Sequence, residues 1–365
     1  MKILVLDQYS SLGGGQQCLV DLLPAFRARG WNTQLLAPGW GPLHDEVLRN
    51  GGSAGSLQLD TYQSRNKSLA EILRFGWSLP GMVRQIRKAT HSFRPDVVYV
   101  NGPRALPAAV VATGSPHLVF HAHSIPEQGS ALRLTQVCSE VPRVTVIAAS
   151  AFVLRSLFRG PGAARQVIYS GVADHTAERR KQAGTFRVGL IGRIAPEKGH
   201  LDLVRAARHI VSGVTKFEFH VFGAPLFSGD EYERQVRDQA IGLPIYFHGW
   251  TSSVRDALSG LDLVVVPSSL LDAAPRVILE ALSARVPVVA YRAGGIPELI
   301  EPGVSGILTK RNAPDSLADE IVGLANDSAR RNQLGEAGRR HWERSFTVER
   351  FRDEVCETLE RSSKI

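Results

Sequence analysis

Short runs of apolar, β-branched residues alternate with amphipathic helical patterns along almost all of this 365-residue chain. Some runs have no polar residue at all, as in Leu263-Val264-Val265-Val266. Strands of this kind are buried on both faces, which is typical of parallel sheets flanked by helices. We therefore expect strands at 3–7, 33–37, 97–100, 118–121 and 144–148 in the first half, and at 188–192, 217–222, 245–247, 263–266 and 286–291 in the second.

The stretch 174–185 is polar, lacks hydrophobic periodicity and is followed at once by a new strand pattern. A chain of this length is long enough for two domains. We predict an α/β protein with two doubly wound Rossmann-like domains, residues 1–180 and 181–346. In the last segment, Val348, Phe351, Val355 and Leu359 recur at helical spacing, which predicts a helix with one buried face.

The net charge of +8 lies entirely in the first half, where residues 1–180 hold 19 Lys and Arg against 11 Asp and Glu. Within that half, the segment 64–91 is basic and apolar in turn. A basic amphipathic helix can lie on an anionic membrane surface. A core helix with a solvated basic face explains the same pattern, and Pro80-Gly81 interrupts it, so both interpretations stay open.

No apolar stretch approaches the ~18–20 residues that cross a bilayer, and the apolar run at the N-terminus stops at Asp7. The three cysteines show neither metal-ligand nor disulfide spacing. We expect a cytoplasmic protein, with peripheral attachment to the inner face of the cell membrane as an option. Since basic and aromatic residues are not interleaved, we expect no nucleic-acid partner.

Doubly wound domains bind ligands at the carboxyl ends of their strands, so the loops after strands are the candidate sites. In the first half, residues 10–16 contain three consecutive glycines before a helix, an arrangement that suits close approach of an anion or simply a flexible turn. His121 and His123 follow the strand at 118–121 and face the same side of it. They could donate a hydrogen bond to a ligand, bind a metal as a pair, or be structural.

In the second half, Arg193 and Lys198 lie five residues apart directly after a strand. Arg offers a planar fork and Lys a point charge, a pair suited to clamp a diphosphate and to stabilise it as a leaving group. Asp272 and Glu280 lie eight residues apart around the start of a helix, where carboxylates could accept hydrogen bonds from sugar hydroxyls. A solvated loop is the plain alternative for the cations, and a structural turn is the plain alternative for the Gly294-Gly295 loop that follows the strand at 286–291.

Several other chemistries lack their sequence signatures. The chain has no Asp-x-Asp, so we expect no metal bridge to a diphosphate, and it has neither GxSxG nor a Walker A pattern. The glycine loop is not GxGxxG, and no acidic residue ends the second strand, which argues against a nicotinamide dehydrogenase.

Taken together, these loops resemble family 4 of the retaining glycosyltransferases (glycosyl transferases group 1), which have the GT-B fold. The family's G-R-x4-K-G pattern appears at 192–199, and its E-x7-E signature appears as Asp272 to Glu280. The tract PVVAYRAGGIPELIEPGVSGIL is similar to the family's most recognisable stretch, and Val167–Val172 resembles its interdomain strand. The resemblance implies two domains facing across a cleft, with a helix at 347–365 crossing back to the first domain.

The resemblance also implies roles for residues. Arg193 and Lys198 would bind the donor diphosphate, Glu280 the ribose hydroxyls and Asp272 the donor sugar, while His121 would lie beside the transferred sugar. Asp272 replaces the more usual glutamate and reaches about one methylene less far. Further donor contacts are implied for Gly14, Gly15, Gly249, Trp250, Ala274, Arg276 and Val277.

The function implied is a retaining, metal-independent hexosyltransferase that needs no cofactor. It would use a UDP-, GDP- or other nucleotide diphosphate sugar and a glycan, lipid-linked or small-molecule acceptor, in the synthesis of a cell-surface polysaccharide or glycolipid. Two alternatives stay open, a non-catalytic sugar-nucleotide-binding module and a GT-B sugar-nucleotide epimerase.

Overall fold

The computed structural model describes residues 1–59, 69–114, 116–126, 129–158, 160, 164–178, 184–210, 216–225, 230–251, 253–268 and 272–365, with residues 69–75 described by their backbone alone. The chain divides into two compact units. Unit 1 contains residues 1–170 and 348–365, and unit 2 contains residues 171–347.

In its first 170 residues, unit 1 alternates strands and helices. The elements are β1 (Lys2–Asp7), α1 (Gly14–Ala28), β2 (Asn32–Pro38), α2 (Pro42–Arg49), β3 (Ser53–Leu57), α3 (Leu69–Phe93), β4 (Val97–Asn101), α4 (Leu106–Ala112), β5 (His117–Ala122), α5 (Ser130–Ser139), β6 (Val144–Ala148), α6 (Ala151–Leu157) and β7 (Arg165–Val167).

Within the described residues, these strands form one parallel sheet in the order β3-β2-β1-β4-β5-β6-β7. Strand β1 pairs with β2 on one side, where Val5 lies opposite Leu35, and with β4 on the other, where Asp7 lies opposite Asn101. The strand order therefore reverses between β1 and β4, which places a ligand-binding crevice at their carboxyl ends.

Unit 2 repeats this plan. Its elements are β8 (Thr185–Ile191), α7 (His200–Ile210), β9 (Lys216–Phe222), α8 (Asp230–Gln239), β10 (Ile245–Gly249), α9 (Val254–Ser259), β11 (Leu263–Val266), α10 (Arg276–Ser283), β12 (Val288–Tyr291), β13 (Ile307–Thr309), α11 (Pro314–Asn326) and α12 (Ser328–Ser345). Within the described residues, the strands form a parallel sheet in the order β10-β9-β8-β11-β12-β13, so the reversal lies between β8 and β11.

The last helix, α13 (Val348–Ser362), belongs to unit 1. Its residues Phe351, Val355 and Leu359 are fully buried in the same core as Leu19 and Leu22 of α1. The prediction of two doubly wound α/β domains with a C-terminal helix returning to the first is confirmed.

The predicted boundary at residue 180 needs correction, because the structure places residues 171–178 with unit 2. The Val172 N–H donates to the Phe346 carbonyl at 3.0 Å. Arg339 of α12 makes a bidentate ion pair with Asp174, with N–O distances of 2.7 and 2.8 Å. These contacts attach the chain to unit 2 at Val172 and Asp174, where the polar stretch 174–185 begins. The expected interdomain strand at 167–172 also needs correction, because β7 covers Arg165–Val167 and overlaps the expected range only at Val167.

Helix α3 runs without interruption through Pro80, where the basic and apolar sequence pattern is interrupted. Met82, Ile86 and Ala89 are buried, whereas Arg84, Arg87 and Lys88 are exposed, so the described part of α3 packs one face in the core and exposes a basic face. The rest of the basic segment, residues 64–68 and the side chains of 69–75, lies outside the described residues. Among the helices that the structure describes, none combines the length and the apolar character needed to cross a membrane.

Candidate functional site

The loop after β8 carries both predicted diphosphate ligands and is anchored at the reversal point of the unit 2 sheet. The Gly192 N–H donates to the Phe222 carbonyl at 2.9 Å, and the Ile194 N–H donates to the Ala224 carbonyl at 3.0 Å. At the other end of the loop, Gly199 adopts a φ of 74°, and a Cβ there would lie 1.8 Å from the Pro267 carbonyl oxygen. Only glycine lets the loop press this closely against the end of β11.

Lys198 is brought to Asp272, which lies 74 residues further along the chain. The Lys198 Nζ is 2.6 Å from the Asp272 Oδ2, and the Ser268 hydroxyl donates to the same oxygen at 2.9 Å. The two charged side chains are 23% and 14% exposed. Solvent therefore screens their attraction only in part, and a ligand can still reach them. The structure therefore brings together a cation and a carboxylate that the sequence singled out separately.

Arg193 lies on the same loop and pairs with Glu197, with 2.9 Å between the Arg193 Nη2 and the Glu197 Oε1. Both side chains are between a quarter and a third exposed. An anion that reached this loop would find one guanidinium group and one ammonium group, each already held in place by a carboxylate. It would have to displace those carboxylates or share the cations with them.

Helix α10 begins at Arg276, directly after Pro275, and its first turn faces the same edge of the sheet. Glu280 lies one turn inside the helix and is 8% exposed, with its Oε1 3.7 Å from the Arg276 Nε. A helix start presents N–H groups and the positive end of the helix dipole. Val277 and Lys198 both line a small pocket between β8, β11 and this helix start.

The loop after β12 supports Asp272 from behind. The Gly295 N–H donates to the Asp272 carbonyl at 2.8 Å. Gly294 has a φ of 55°, and a Cβ there would lie 2.1 Å from the same carbonyl oxygen. The Gly294-Gly295 turn therefore sets the position of the loop that contains Asp272 and Ala274.

Gly249 ends β10 and Trp250 follows it, beside the loop after β9. The Gly223 N–H donates to the Gly249 carbonyl at 2.7 Å, and the His248 ring stacks on Phe222 with centroids 4.4 Å apart. Trp250 is 52% exposed. In the described parts of the chain, no group of three His, Cys, Asp or Glu side chains is arranged to hold a metal ion.

A second polar cluster lies at the reversal point of the unit 1 sheet, where β1, β4 and β5 end. Asp7 is fully buried and accepts hydrogen bonds from the Gln16 side chain, the Tyr9 N–H and the Asn101 amide, at 2.8, 2.9 and 2.5 Å. Burial raises the pKa of Asp7 to about 6, although these hydrogen bonds act in the opposite direction. The Asn101 Oδ1 lies 2.7 Å from the Nε2 of His123.

The prediction that His121 faces the substrate needs correction. His121 has no exposed surface, and its Nδ1 lies 2.5 Å from the Tyr99 hydroxyl inside the core, near Phe351 of α13. Burial lowers the pKa of His121 well below the usual range. His123 is only partly buried and lies against the glycine loop, since a Cβ on Gly15 would be 3.1 Å from the His123 Cδ2. His121 and His123 do stay together, with ring centroids 3.9 Å apart.

Asp7, Asn101 and Ser268 belong to these clusters but were missed by sequence reasoning. A signal was available, because each is a polar residue at or just beyond the carboxyl end of an apolar strand. Asp7 and Asn101 end two strands that the doubly wound order makes neighbours. Gly14 and Gly15, which were expected in the loop before the helix, form the first turn of α1 at this edge.

Comparison with known proteins places the two halves in related families. Residues 12–175 match the family model of Glycosyltransferase Family 4, and residues 185–327 match that of Glycosyl transferases group 1. The D-inositol 3-phosphate glycosyltransferase of Geodermatophilus obscurus is 31% identical over 47% of this chain and 41% of its own length. The lipopolysaccharide 1,2-N-acetylglucosaminetransferase of Salmonella typhimurium is 30% identical over 49% of this chain and 51% of its own. The matched part thus spans about half the length of these curated relatives.

Among solved structures, Anabaena HepE, determined in complex with UDP and with UDP-glucose, is similar over the whole length. The two chains are 25% identical with a TM-score of 0.84, and the match covers 99% of this chain and 100% of HepE in the UDP complex. The chain therefore belongs to the family 4, or group 1, glycosyltransferases and has their GT-B fold.

Proposed function

We propose that the protein is a retaining, metal-independent glycosyltransferase that uses a nucleotide diphosphate sugar. The observation that carries this proposal is the 2.6 Å contact between Lys198 and Asp272 at the reversal point of the unit 2 sheet. It joins a cation suited to a diphosphate and a carboxylate suited to sugar hydroxyls, beside the start of α10. A nucleotide diphosphate sugar needs both chemistries next to each other.

In this proposal Arg193 and Lys198 bind the donor diphosphate, with the first turn of α10 as an additional anion site. When the donor binds, Lys198 exchanges part of its contact with Asp272 for phosphate oxygens. The Asp272 carboxylate is then available to the donor sugar, and Glu280 accepts hydrogen bonds from the ribose. Further donor contacts come from Gly14, Gly15, Gly249, Trp250, Ala274, Arg276 and Val277.

We assign the position beside the transferred sugar to His123 rather than His121. His123 is partly exposed at the end of β5 and packs on Gly15, whereas His121 is sealed in the core. A sealed side chain cannot touch a substrate without opening the core.

The reaction we propose breaks the bond between the anomeric carbon and the phosphate oxygen and forms a bond from the acceptor oxygen on the same face. The acceptor proton passes to the departing phosphate. Arg193 and Lys198 stabilise the charge that develops on that phosphate. This mechanism asks the protein mainly for positioning, since the leaving group itself takes the proton.

The names of the similar proteins guide the choice of substrates. HepE was solved with UDP and UDP-glucose, so a uridine diphosphate sugar is the first donor to test, before GDP-sugars. The relatives named above act in inositol phosphate and lipopolysaccharide glycosylation, which supports a glycan, lipid-linked or small-molecule acceptor.

The experiment is a turnover assay with UDP-, GDP-, ADP- and TDP-sugars in the presence of EDTA, with release of the nucleoside diphosphate as the readout. We expect one donor class to be consumed, and proton NMR of the product to show the donor's anomeric configuration. Inversion of configuration would contradict the retaining mechanism, and dependence on added metal would contradict metal independence. Binding of a sugar nucleotide without any turnover would favour a non-catalytic module.

We also propose that unit 1 meets an anionic membrane surface through the exposed face of α3. Arg84, Arg87 and Lys88 are exposed there, and Trp77 is 85% exposed on the same helix. Sedimentation with liposomes rich in phosphatidylglycerol at low salt tests this. We expect binding that weakens with salt and is lost in the triple Arg84→Ala, Arg87→Ala, Lys88→Ala variant. If the wild-type protein stays in the supernatant, the membrane proposal is wrong.

A further inference from the structure

The orientation of the Asn101 amide is determined by its neighbours at the end of β4. The Asn101 Nδ2 lies 2.5 Å from the Asp7 Oδ2 and 3.2 Å from the Gly15 carbonyl oxygen. A carbonyl oxygen only accepts, and an ionised carboxylate only accepts. The group that faces them must therefore be the NH2 of Asn101, which leaves its Oδ1 facing the opposite way.

That oxygen faces His123. The Asn101 Oδ1 is 2.7 Å from the His123 Nε2, and an amide oxygen can only accept. The Nε2 must therefore bear a hydrogen, and a neutral His123 is fixed in the Nε2–H tautomer. In histidines of this kind, the tautomer is set by the hydrogen bond that one ring nitrogen makes.

Asp7 is fixed in turn by groups that cannot reverse. Its Oδ1 accepts from the Tyr9 backbone N–H at 2.9 Å and from the Gln16 side chain at 2.8 Å. The backbone N–H cannot exchange roles, so one side of the Asp7 carboxyl group always has to be an acceptor. Asp7, Gln16 and Asn101 are each at most 5% exposed, so water does not compete for these hydrogen bonds.

We propose that Asp7 is a positioning residue that fixes, through Asn101, the Nε2–H tautomer and ring orientation of His123. The consequence is a ring that stays against Gly15 with a defined hydrogen-bonding pattern. The inference rests on the proposed function only in assigning His123 to the reacting sugar. The chain of donors and acceptors itself stands on this structure alone.

For the Asp7→Asn variant we predict a change in the tautomer of His123. In this variant the amide oxygen of residue 7 stays with the Tyr9 N–H, so its NH2 group is directed at Asn101. Two NH2 groups cannot hydrogen-bond to each other, so Asn101 reverses, gives up its longer 3.2 Å contact with the Gly15 carbonyl and presents its NH2 to the His123 Nε2. That nitrogen then has to accept, and the proton moves to Nδ1.

The test is 15N NMR of the imidazole nitrogens of His123 at pH 8, with assignment by His123→Gln. We expect the wild-type protein to show Nε2–H, Asp7→Asn to show Nδ1–H, and kcat of Asp7→Asn to fall by roughly 10- to 100-fold through misplacement. Gln16→Leu is the matched control, because it removes a hydrogen bond to the same carboxylate without touching Asn101, and it should keep Nε2–H.

An Nδ1–H signal in the wild-type protein would overturn the proposal, even if Asp7→Asn did not fold. Retention of Nε2–H in a folded Asp7→Asn variant would overturn it as well. Neither result bears on the proposed transfer reaction, which would instead fail by showing no turnover with any nucleotide sugar.

Discussion

At the scale of single residues, the loops at strand ends indicate where a site lies, but they do not indicate which of its side chains pair with each other. Arg193, Lys198, Asp272 and Glu280 could be singled out from the sequence because each lies in the loop after an apolar strand or in the first turns of the helix that follows it. The partner of each could not, since the 2.6 Å contact of Lys198 with Asp272 depends on which strands are neighbours. His121 was misassigned for a similar reason, because strand alternation places two histidines on one side without telling which of them reaches beyond the sheet.

The proposal that His123 rather than His121 lies beside the transferred sugar predicts different effects for variants of the two residues. His123→Ala should lower kcat roughly 10- to 100-fold through loss of positioning. His121→Phe should leave kcat unchanged but lower the free energy of unfolding by about 1–3 kcal/mol, because the Tyr99 hydroxyl loses its buried partner. Steady-state kinetics and urea unfolding of both variants are the measurements. A large kcat loss in His121→Phe together with normal turnover in His123→Ala would restore the original assignment.

The raised pKa of Asp7 predicts that the stability of the protein depends on pH. Burial raises its pKa in the folded protein to about 6, above the ordinary value of 3.8. The folded state therefore binds a proton more tightly than the unfolded state, and the contribution of Asp7 to stability decreases as pH rises from about 4 to 6. Relative to Asp7→Asn, the wild-type protein should lose about 3 kcal/mol over this interval and nothing further above it.

Urea unfolding at pH 4, 5, 6 and 7 measures that difference. Asp45→Asn, at an exposed position on α2, is the control and should change the stability by less than about 0.5 kcal/mol at each of these pH values. A constant difference for Asp7→Asn would mean that the Asp7 carboxyl group titrates normally.

At the scale of elements, apolar runs such as β11 were predictable because burial on both faces leaves no polar position in them. The strands that were missed, β3, β7 and β13, are short or poor in apolar residues, and neighbouring strands of the sheet rather than their own composition hold them. Pro80 interrupts the amphipathic pattern of the sequence but not α3 itself, and Met82 and Ile86 beyond it pack in the core.

The loop after β8 gives a prediction at this scale. Gly199→Ala places a Cβ 1.8 Å from the Pro267 carbonyl, so the loop carrying Lys198 has to move. Gly242→Ala is the matched control, because Gly242 has a similar φ of 79° but no atom within 4 Å of the added Cβ.

We expect Gly242→Ala to lose about 1–2 kcal/mol of stability from its backbone conformation alone. Gly199→Ala should lose about 1–3 kcal/mol more and bind the donor poorly. Urea unfolding and titration calorimetry with the donor provide both numbers. Equal losses in the two variants, with donor binding intact, would show that the close packing against β11 is not what positions Lys198.

At the scale of the whole molecule, periodicity predicted the last helix and its buried face, but family resemblance was needed to say which unit it joins. The structure shows α13 completing the core of unit 1, some 180 residues after the chain has left that unit. The boundary was misplaced by about ten residues because residues 171–178, although polar, are held to unit 2 by α12. A polar sequence indicates that a segment is exposed to solvent, but it does not indicate that the segment is a free linker. Residues 171–178 are attached to unit 2.

Substitution of Phe351 tests whether the stability of unit 1 depends on α13. Its side chain is fully buried in the core formed by the first 170 residues. Phe351→Ala should destabilise unit 1 by about 3–5 kcal/mol, whereas Glu357→Ala on the exposed face of α13 should change stability by less than about 0.5 kcal/mol. Hydrogen exchange of the β1 and β4 amides reports unit 1 directly. Unchanged protection in Phe351→Ala would mean that unit 1 is stable without this helix.

The central claim is that the carboxyl edge of the unit 2 sheet binds a nucleoside diphosphate. Thermal unfolding with UDP, GDP, ADP and TDP tests it, with Arg193→Ala/Lys198→Ala as the site variant. Arg205→Ala/Lys216→Ala serves as the control, because it removes the same charge from side chains that are 55% and 70% exposed.

A ligand present at ~100 times its dissociation constant adds about 2.7 kcal/mol of stability, which raises the unfolding midpoint by several degrees, roughly 5–10 °C. We predict such a shift with one of the four diphosphates, unchanged in the control and lost in the site variant. A shift that survives in Arg193→Ala/Lys198→Ala, or no shift with any of the four at millimolar concentration, would contradict the account.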